Sequence, residues 1–250
     1  MSTIRYLIDL TVCLRRLTRI PLPGDPSEGE STLAGAGWAM PVIGAFLGAI
    51  AAIVYLVVAA LGLGPGLAAV VAASVSVGLT GAGPERALAK AATQLAGRDG
   101  EAPFGEAGTI SLVLALAVRI GVIAAIGEPE AVTGTLVGAG AIGYAALMAA
   151  VHAAPDAAPD AAPDSDGGRL AADLGRTAIE PVGAAVLIGA AISLIAVPGG
   201  WLAAVILAGA ATAGIVMLAL RREPGITGTI TLAAMPVAEA VALLAIAAAR

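Results

Sequence analysis

Apolar residues are gathered into long runs along the chain, and the short stretches between the runs hold nearly all of the charged residues. A helix needs about 20 mostly apolar residues to cross a hydrocarbon core that is ~30 Å thick. Seven runs meet or approach this length, and they cover residues 38–61, 65–82, 109–126, 131–153, 181–197, 201–220 and 226–249. The pattern predicts an all-α fold, a polytopic membrane bundle of about seven transmembrane helices.

The segment before the first run has a different pattern. Between Ile4 and Ile20, apolar residues alternate with four arginines in a pattern that suits an amphipathic helix. A helix with one apolar and one cationic face is typical of segments that lie in the headgroup layer of a membrane. We therefore expect residues 1–36 to form an amphipathic, cytoplasmic N-terminal segment. A signal peptide is not indicated, because the apolar stretch is short and interrupted.

Composition supports a membrane protein. Apolar residues make up 59% of the 250 residues and charged residues 12%, whereas soluble domains carry roughly 25% charged residues. The runs leave no room for a separate soluble core, so we expect a single membrane domain over residues 1–250, with the lipid bilayer as its main partner. The single cysteine, Cys13, excludes an intrachain disulfide and a thiolate metal site. The sequence has no basic and aromatic patch of the kind that binds nucleic acid.

The distribution of lysine and arginine predicts an orientation. Eleven of the thirteen lie before the first run, in loops 83–108 and 154–180, and directly after the sixth run, whereas the alternate connections contain none. Of the other two, Arg119 lies within the third run and the terminal Arg250 lies on the opposite side. Short cytoplasmic loops carry the excess of positive residues in membrane proteins. We therefore expect a multi-pass protein of the cell (inner) membrane with a cytoplasmic N-terminus. Chemistry on a soluble substrate is then expected at the cytoplasmic face.

Two ionisable residues lie deep inside apolar runs. Arg119 and Glu239 are roughly 15 and 20 Å from the cytoplasmic edge at 1.5 Å per residue, and an unpaired charge at that depth is costly. We predict that the two side chains pair directly or through one water, either as a structural ion pair or as a contact to substrate. Glycines in G-x-x-x-G spacing indicate close helix packing, and they are Gly44, Gly48, Gly134 and Gly138.

The stretch "GPERALAKAATQLAG", residues 83–97, predicts a short helix between two runs. Arg86, Lys90 and Thr93 are spaced i, i+4 and i+7, which places them on one helical face. This face is either an ordinary positive-inside loop or a site for phosphate groups of a nucleotide, a corrinoid precursor or an anionic lipid. His152 ends the fourth run, where a solvated or capping role is favoured over a ligand role.

The loop "APDAAPDAAPDSDGG", residues 154–168, repeats the tripeptide A-P-D. Proline blocks helix and aspartate is well solvated, so the loop is predicted to be a flexible acidic insert. The alternative is calcium or magnesium binding, although nothing in the sequence fixes the geometry of the four aspartates that would be ligands. They are Asp156, Asp160, Asp164 and Asp166.

The segments "RRLTRIPLPG" and "WAMPVIGAFLGAI" resemble the opening of the cobalamin synthase family, the adenosylcobinamide-GDP ribazoletransferases. That family begins with T-R-x-P-x-P and a first span like P-L-x-G-x-x-x-G. Later segments resemble the family too, so that the resemblance covers nearly the whole chain; they are "LTGA" at 79–82, "FGEAGTISLVLALAVR" at 104–119 and "GITGTITLAAMPVAEAVALLAI" at 225–246. The resemblance implies a membrane transferase that joins adenosylcobinamide-GDP to α-ribazole or its phosphate, releases GMP and uses magnesium. Other cobalamin-pathway proteins are implied as partners.

The family's polar motifs are altered in this chain. Its three metal-binding aspartates correspond to Arg86, Lys90 and Thr93, which changes the charge of that face from about −3 to +2 and disfavours magnesium there. The D-S-R-x-G-x-x-G motif corresponds to residues 101–108 and lacks its arginine, while the last T-G-D motif has Thr229 in place of its aspartate. Family positions that are kept are Glu101, Gly105, Gly108, Thr227, Gly228 and Glu239.

Three hypotheses follow. The first is a working ribazoletransferase with a rearranged site, in which acids among those named next, chiefly Glu85, Glu101 and Glu106, would hold magnesium. Its candidate catalytic acids are Glu85, Glu101, Glu106 and Glu239, with Asp99 as a further metal ligand, and its candidate substrate-binding residues are Arg86, Lys90, Arg119, Gly105, Gly108, Thr227 and Gly228. The second is a non-catalytic paralogue that binds a corrinoid, a nucleotide or a partner protein through Arg86 and Lys90. The third is an unrelated transporter or membrane-complex subunit that shares only composition.

Overall fold

A computed structural model describes residues 3–22, 32–97, 105–153, 174, 177–221 and 229–250. Throughout these ranges the regular structure is helical. The α-helices are α1 (Thr3–Leu17), α2 (Met40–Ala60), α3 (Pro65–Thr80), α4 (Gly83–Leu95), α5 (Glu106–Ile126), α6 (Pro129–Ala153), α7 (Ile179–Ala196), α8 (Trp201–Leu220) and α9 (Ala234–Ala248). A 3-10 turn, Gly37–Ala39, leads into α2, and a helical turn from Thr229 leads into α9.

The predicted all-α membrane fold is confirmed. Among the described residues, six helices are long and apolar enough to cross a membrane, and α3 with α4 supplies a seventh span if the bent pair is counted as one. The bend of 87° lies at Gly81 and Ala82, whose φ angles of 61° and 58° are both left-handed. That conformation is uncommon for alanine. Helix α3 therefore ends before the predicted limit at residue 82, and the predicted short helix appears as α4.

Helix α6 is the centre of the bundle and packs against α2, α7, α8 and α9. Within its apolar span 89% of the residues are buried, compared with 11% for the peripheral helix α5. Close packing around α6 depends on glycines, since their missing side chains let backbones approach. A Cβ atom on three of the four G-x-x-x-G residues would overlap the backbone of a neighbouring helix, which confirms their predicted packing role; the partners are Gly140 for Gly44, Leu136 for Gly48 and Ala196 for Gly134. A Cβ atom on Gly138 would make only ordinary contact with Val197 and Ser193.

Helix α1 confirms the predicted amphipathic helix at the start of the chain. Its buried face carries Asp9, Cys13 and Leu17, while Ile4 and Leu7 are exposed. The indole Nε1 of Trp38 donates a hydrogen bond of 2.8 Å to the Asp9 carboxylate. The buried face therefore attaches α1 to the segment that precedes α2, and the exposed apolar face stays available for the predicted contact with lipid.

The segment after α1 contacts the turn between α3 and α4. The backbone N–H of Arg19 donates to the carbonyl of Leu79 at 2.8 Å, and the Arg19 side chain packs over Gly81. A side chain on Gly81 would occupy the space of the arginine. This contact places the end of α1 and the start of α4 at the same end of the bundle.

Candidate functional site

The two intramembrane charges form a direct ion pair. Arg119 on α5 places Nη2 at 3.0 Å from Oε1 of Glu239 on α9, and the two side chains are only 16% and 12% exposed. This confirms the pairing that was predicted from the cost of an unpaired charge in hydrocarbon. The pair joins a peripheral helix to one that packs on α6.

A third charge lies beside this pair. Glu85, in the first turn of α4, lines two cavities of about 30 Å³ each together with Arg119 and Glu239. One cavity lies between α4, α5 and α9, and its other walls are mostly leucine and alanine. The second cavity extends between α2, α3 and α6, where Ser76, Thr80 and Tyr144 also line it. Three helices thus bring two carboxylates and one guanidinium to one place, with a formal charge of −1.

Helix α4 reaches this place by packing along α5 in the opposite direction. Thr93, near the end of α4, packs against Gly108 at the start of α5, whereas Glu85 shares two cavities with Arg119. The separations along the two helices are roughly 12 and 16 Å at 1.5 Å per residue, and so they match an antiparallel contact. In the described part of the chain, most of the predicted loop 83–108 is therefore helix α4, which packs against the spanning helix α5.

Gly143 on α6 sets the position of Glu239. A Cβ atom on Gly143 would lie 3.1 Å from Cβ of Glu239 and 3.3 Å from the carbonyl oxygen of Met235. Glycine at this position therefore lets α9 approach α6 closely enough to hold the glutamate at the cavities. Sequence reasoning missed this residue, although the run of glycines in α6 that includes Gly134, Gly138, Gly140 and Gly143 is the signal that indicates it.

Two polar atoms of the cluster are buried without a hydrogen-bond partner in the described part of the chain. They are Oε2 of Glu85 and Nε of Arg119. Leaving a buried polar group unsatisfied costs about 1–3 kcal/mol, and such groups in a native protein usually face a water, an ion or a ligand. Each cavity exceeds the ~10–15 Å³ that a water needs. Each cavity therefore has room for a water molecule beside these charged side chains.

The predicted cationic face of α4 is reduced from three residues to two. Arg86 and Lys90 are half-buried, whereas Thr93 is only 4% exposed. The Thr93 hydroxyl donates to the carbonyl of Ala89 at 3.0 Å, and Gly108 of α5 packs over both residues. Thr93 therefore offers no group to a ligand, and any anion at this face would meet Arg86 and Lys90 alone.

The described residues do not fit a magnesium ion. No group of three or more side chains of the types that ligate metals comes together within the described ranges. Glu85 and Glu239 converge, but Arg119 lies beside both and already pairs with Glu239. A guanidinium beside the carboxylates takes the place that a divalent cation would need.

The remaining predicted site residues fall into two groups. Gly105 directly precedes α5 and Glu106 is its first residue, while Nδ1 of His152 lies 2.9 Å from the carbonyl oxygen of Thr177. This contact links the end of α6 to the residues that precede α7. Several predicted residues lie outside the described residues, and they are Asp99, Glu101, Thr227, Gly228 and the four aspartates of the loop 154–168.

The fold and the cluster define a class of protein. It is a polytopic membrane bundle in which charged side chains of α4, α5 and α9 line two cavities. The chain belongs to the cobalamin-5-phosphate synthase family, whose sequence model matches residues 9–247. The hypothesis of an unrelated transporter that shares only composition is therefore wrong. The family resemblance given by the quoted segments is confirmed.

Two curated relatives extend the match over almost the full length of the chain. The adenosylcobinamide-GDP ribazoletransferase of Mesorhizobium japonicum is 33% identical over 253 residues, which cover 98% of this chain and 94% of the relative. The protein of the same name from Bradyrhizobium diazoefficiens is 32% identical over 260 residues, with 99% and 96% coverage. No solved structure matches the chain.

Proposed function

We propose that the protein is an adenosylcobinamide-GDP ribazoletransferase of cobalamin biosynthesis. The observation that carries the proposal is the match over 98% and 99% of the chain to two relatives of that name. In this reaction a hydroxyl oxygen of α-ribazole, or of its phosphate, attacks a phosphorus of adenosylcobinamide-GDP. The bond from that phosphorus to the GMP oxygen breaks, GMP leaves with the electron pair, and the hydroxyl proton passes to a base.

Glu85 is the proposed base. Its Oε2 atom is buried and has no hydrogen-bond partner in the described part of the chain, so this oxygen remains able to accept a proton. Glu239 is paired with Arg119, and we assign it the role of orienting the guanidinium. Glu101 and Glu106 are the other acids that we assign to the site.

Positive side chains are proposed to bind the phosphates. Arg86 and Lys90 correspond to two of the family's aspartates on α4 and are the proposed phosphate contacts, while Arg119, which lies beside Glu85, is assigned to another part of the substrate. Guanidinium and ammonium groups stabilise phosphate charge through charge-assisted hydrogen bonds. The backbone at Gly105 and Gly108, and at Thr227 and Gly228, completes the proposed substrate contacts.

The family's magnesium has no fitting ligand set among the described residues. We therefore propose that Arg86 and Lys90 neutralise substrate phosphate at the face where the family carries its aspartates. Transfer and substrate binding should then persist in EDTA. Replacing Arg86, Lys90 and Thr93 by aspartate together should create a requirement for magnesium if the aligned face is the site, and no change would show that it is not.

The proposed location is the cell (inner) membrane, with the N-terminus and the two long loops in the cytoplasm and with residues 1–250 forming a single membrane domain. The charge asymmetry of the sequence supports this orientation. Single cysteines placed in a Cys13→Ala background at positions 28 and 160 should be blocked by a membrane-impermeant maleimide only after the cells are opened. Labelling in intact cells would reverse the orientation.

Complementation tests the activity itself. A bacterial strain that lacks its ribazoletransferase should grow on cobinamide when it expresses this chain, and the Mesorhizobium japonicum relative is the positive control. Membranes that contain the chain should release GMP from adenosylcobinamide-GDP only when α-ribazole or its phosphate is present. The same chain with Glu85→Gln should be inserted at the wild-type level and fail to complement.

The replacement of all three family aspartates favours a second function, that of a non-catalytic paralogue that binds a corrinoid, a nucleotide or another protein of the pathway. Such a chain would bind adenosylcobinamide-GDP, with binding weakened by Arg86→Gln and Lys90→Gln, yet would never release GMP. Growth of the complemented strain would exclude it.

A further inference from the structure

The cavity between α2, α3 and α6 contains a buried polar group that the assignments above do not use. Tyr144 on α6 is only 3% exposed and lines this cavity together with Glu85, Arg119 and Glu239. No hydrogen bond of its hydroxyl occurs within the described ranges. A buried tyrosine hydroxyl usually has a partner, so the cavity is the place where that partner would bind.

The chemistry of the cavity defines the group that fits it. The Glu85 carboxylate accepts hydrogen bonds and the Arg119 guanidinium donates them, and both side chains line this cavity. The Tyr144 hydroxyl does either. A group that satisfies all three must both donate and accept, as a hydroxyl does. Phosphate is disfavoured by the two carboxylates, and a bare cation is disfavoured by the guanidinium.

The size and rigidity of the cavity agree with a hydroxyl. Its volume of about 30 Å³ exceeds the ~10–15 Å³ that a cavity needs to hold one water, and so it admits a hydroxyl. The Tyr144 ring is fixed because α2 and α6 cross at Gly44 and Gly140, where a Cβ atom on either residue would meet the opposite backbone. A Cβ on Gly44 would also lie 2.6 Å from Cδ2 of Tyr144. The phenol is therefore positioned before any ligand arrives.

We propose that this cavity binds the hydroxyl group of the alcohol substrate, and that Tyr144 is a substrate-binding residue for it. This inference rests on the proposed transferase function, in which the alcohol is α-ribazole or its phosphate. Glu85 accepts a hydrogen bond from the substrate hydroxyl, while the Tyr144 hydroxyl and the Arg119 guanidinium hold its oxygen. A water molecule takes the same position when the alcohol is absent.

Tyr144→Phe tests the inference, because it removes one oxygen atom and keeps the ring that packs against Gly44. The loss of one hydrogen bond should raise the KM for α-ribazole about three- to tenfold, with the KM for adenosylcobinamide-GDP unchanged. Tyr55→Phe is the matched control. Tyr55 is equally buried, but its hydroxyl donates to the carbonyl of Gly127 at 2.9 Å, outside the cavity. Neither KM should change in that variant.

A binding measurement separates this inference from the proposed function. α-Ribazole should raise the Tm of the purified full-length chain in detergent, with a smaller rise for Tyr144→Phe and a normal rise for Tyr55→Phe. If this pattern appears without GMP release, the cavity assignment holds and the transferase assignment fails. If GMP is released and Tyr144→Phe keeps the wild-type KM for α-ribazole, only structural water fills the cavity and the inference is overturned. An absence of both release and stabilisation overturns both.

Discussion

The three charges at the cavities should make the loss of Arg119 more harmful than the loss of Glu239. Arg119→Gln leaves Glu85 and Glu239 side by side with a formal charge of −2. Glu239→Gln leaves Arg119 beside Glu85 with a charge of zero, and the new amide still accepts a hydrogen bond from the guanidinium. An isolated ion pair would give no such asymmetry, because each single substitution would strand one charge.

The expected sizes follow from burial and distance. Two unit charges at 3.0 Å attract by roughly 5 kcal/mol at an effective dielectric constant of about 20, and desolvation offsets much of this. Removal of one partner of a buried pair typically costs about 3–5 kcal/mol. We expect Arg119→Gln to fall in that range and Glu239→Gln to cost about 1–2 kcal/mol, since Glu85 continues to compensate Arg119.

The measurement is the free energy of unfolding in mixed micelles as the fraction of sodium dodecyl sulfate is raised. Adding Glu85→Gln to Arg119→Gln should recover about 1–2 kcal/mol by removing one of the two stranded carboxylates. Arg5→Gln removes an exposed charge on α1 and should stay within about 0.5 kcal/mol of wild type. Equal losses for Arg119→Gln and Glu239→Gln, with no recovery in the double variant, would refute a three-charge cluster.

Three further predictions concern packing around the site and the attachment of α1. Gly143→Ala should push α9 away from α6, which should lower stability by about 1–3 kcal/mol and reduce GMP release. Gly121 has open space around it, so Gly121→Ala should be neutral or stabilising. Melting curves followed by circular dichroism compare the two variants. Burial, helped by Asp9, raises the pKa of the Cys13 thiol from 9.0 to about 12. Maleimide at pH 8 should therefore label Cys13 only after denaturation. The free energy of unfolding should fall between pH 9 and 12, because the unfolded thiol ionises there while the folded one stays neutral. Asp9→Asn weakens a charge-assisted bond to Trp38 worth about 1.5–3 kcal/mol and should speed trypsin cleavage in α1, whereas unchanged cleavage would show that this bond does not attach the helix.

The spans and the ion pair could be predicted because the bilayer leaves few alternatives. A run of 20 apolar residues has few stable places other than a membrane span, and an intramembrane arginine needs a counter-charge. Arg119 and Glu239 lie at similar depths on different spans, so pairing followed from depth alone. The G-x-x-x-G pairs were predictable for a similar reason, since small residues at that spacing provide a contact surface.

Glu85 was among the predicted acids, but its position beside the ion pair could not be predicted from the sequence, and neither could the position of Tyr144. Glu85 joins the cluster only because Gly81 and Ala82 turn the chain by 87°, and an alanine in the left-handed region leaves no signal in a sequence. Tyr144 lies within an apolar run, where an aromatic residue is ordinarily part of the packing. The prediction that Thr93 shares an accessible face with Arg86 and Lys90 was wrong, because helical spacing does not show which residues a neighbouring helix covers.

In the proposed site, the charge of α4 would allow a face without aspartates to bind substrate phosphate. A metal ion would bring positive charge that three carboxylates hold in place, whereas Arg86 and Lys90 carry such charge on the helix itself. The two carboxylates of the cluster have other contacts. Glu239 pairs with Arg119, and Glu85 lines both cavities. Anionic and neutral parts of a substrate would thus meet different sides of the same short helix, with phosphate toward the cations and an alcohol toward Glu85 and Tyr144. That division requires α4 to pack along α5 as it does, because a helix continuing straight from α3 would carry Glu85 roughly 7 Å beyond Thr80 along its axis.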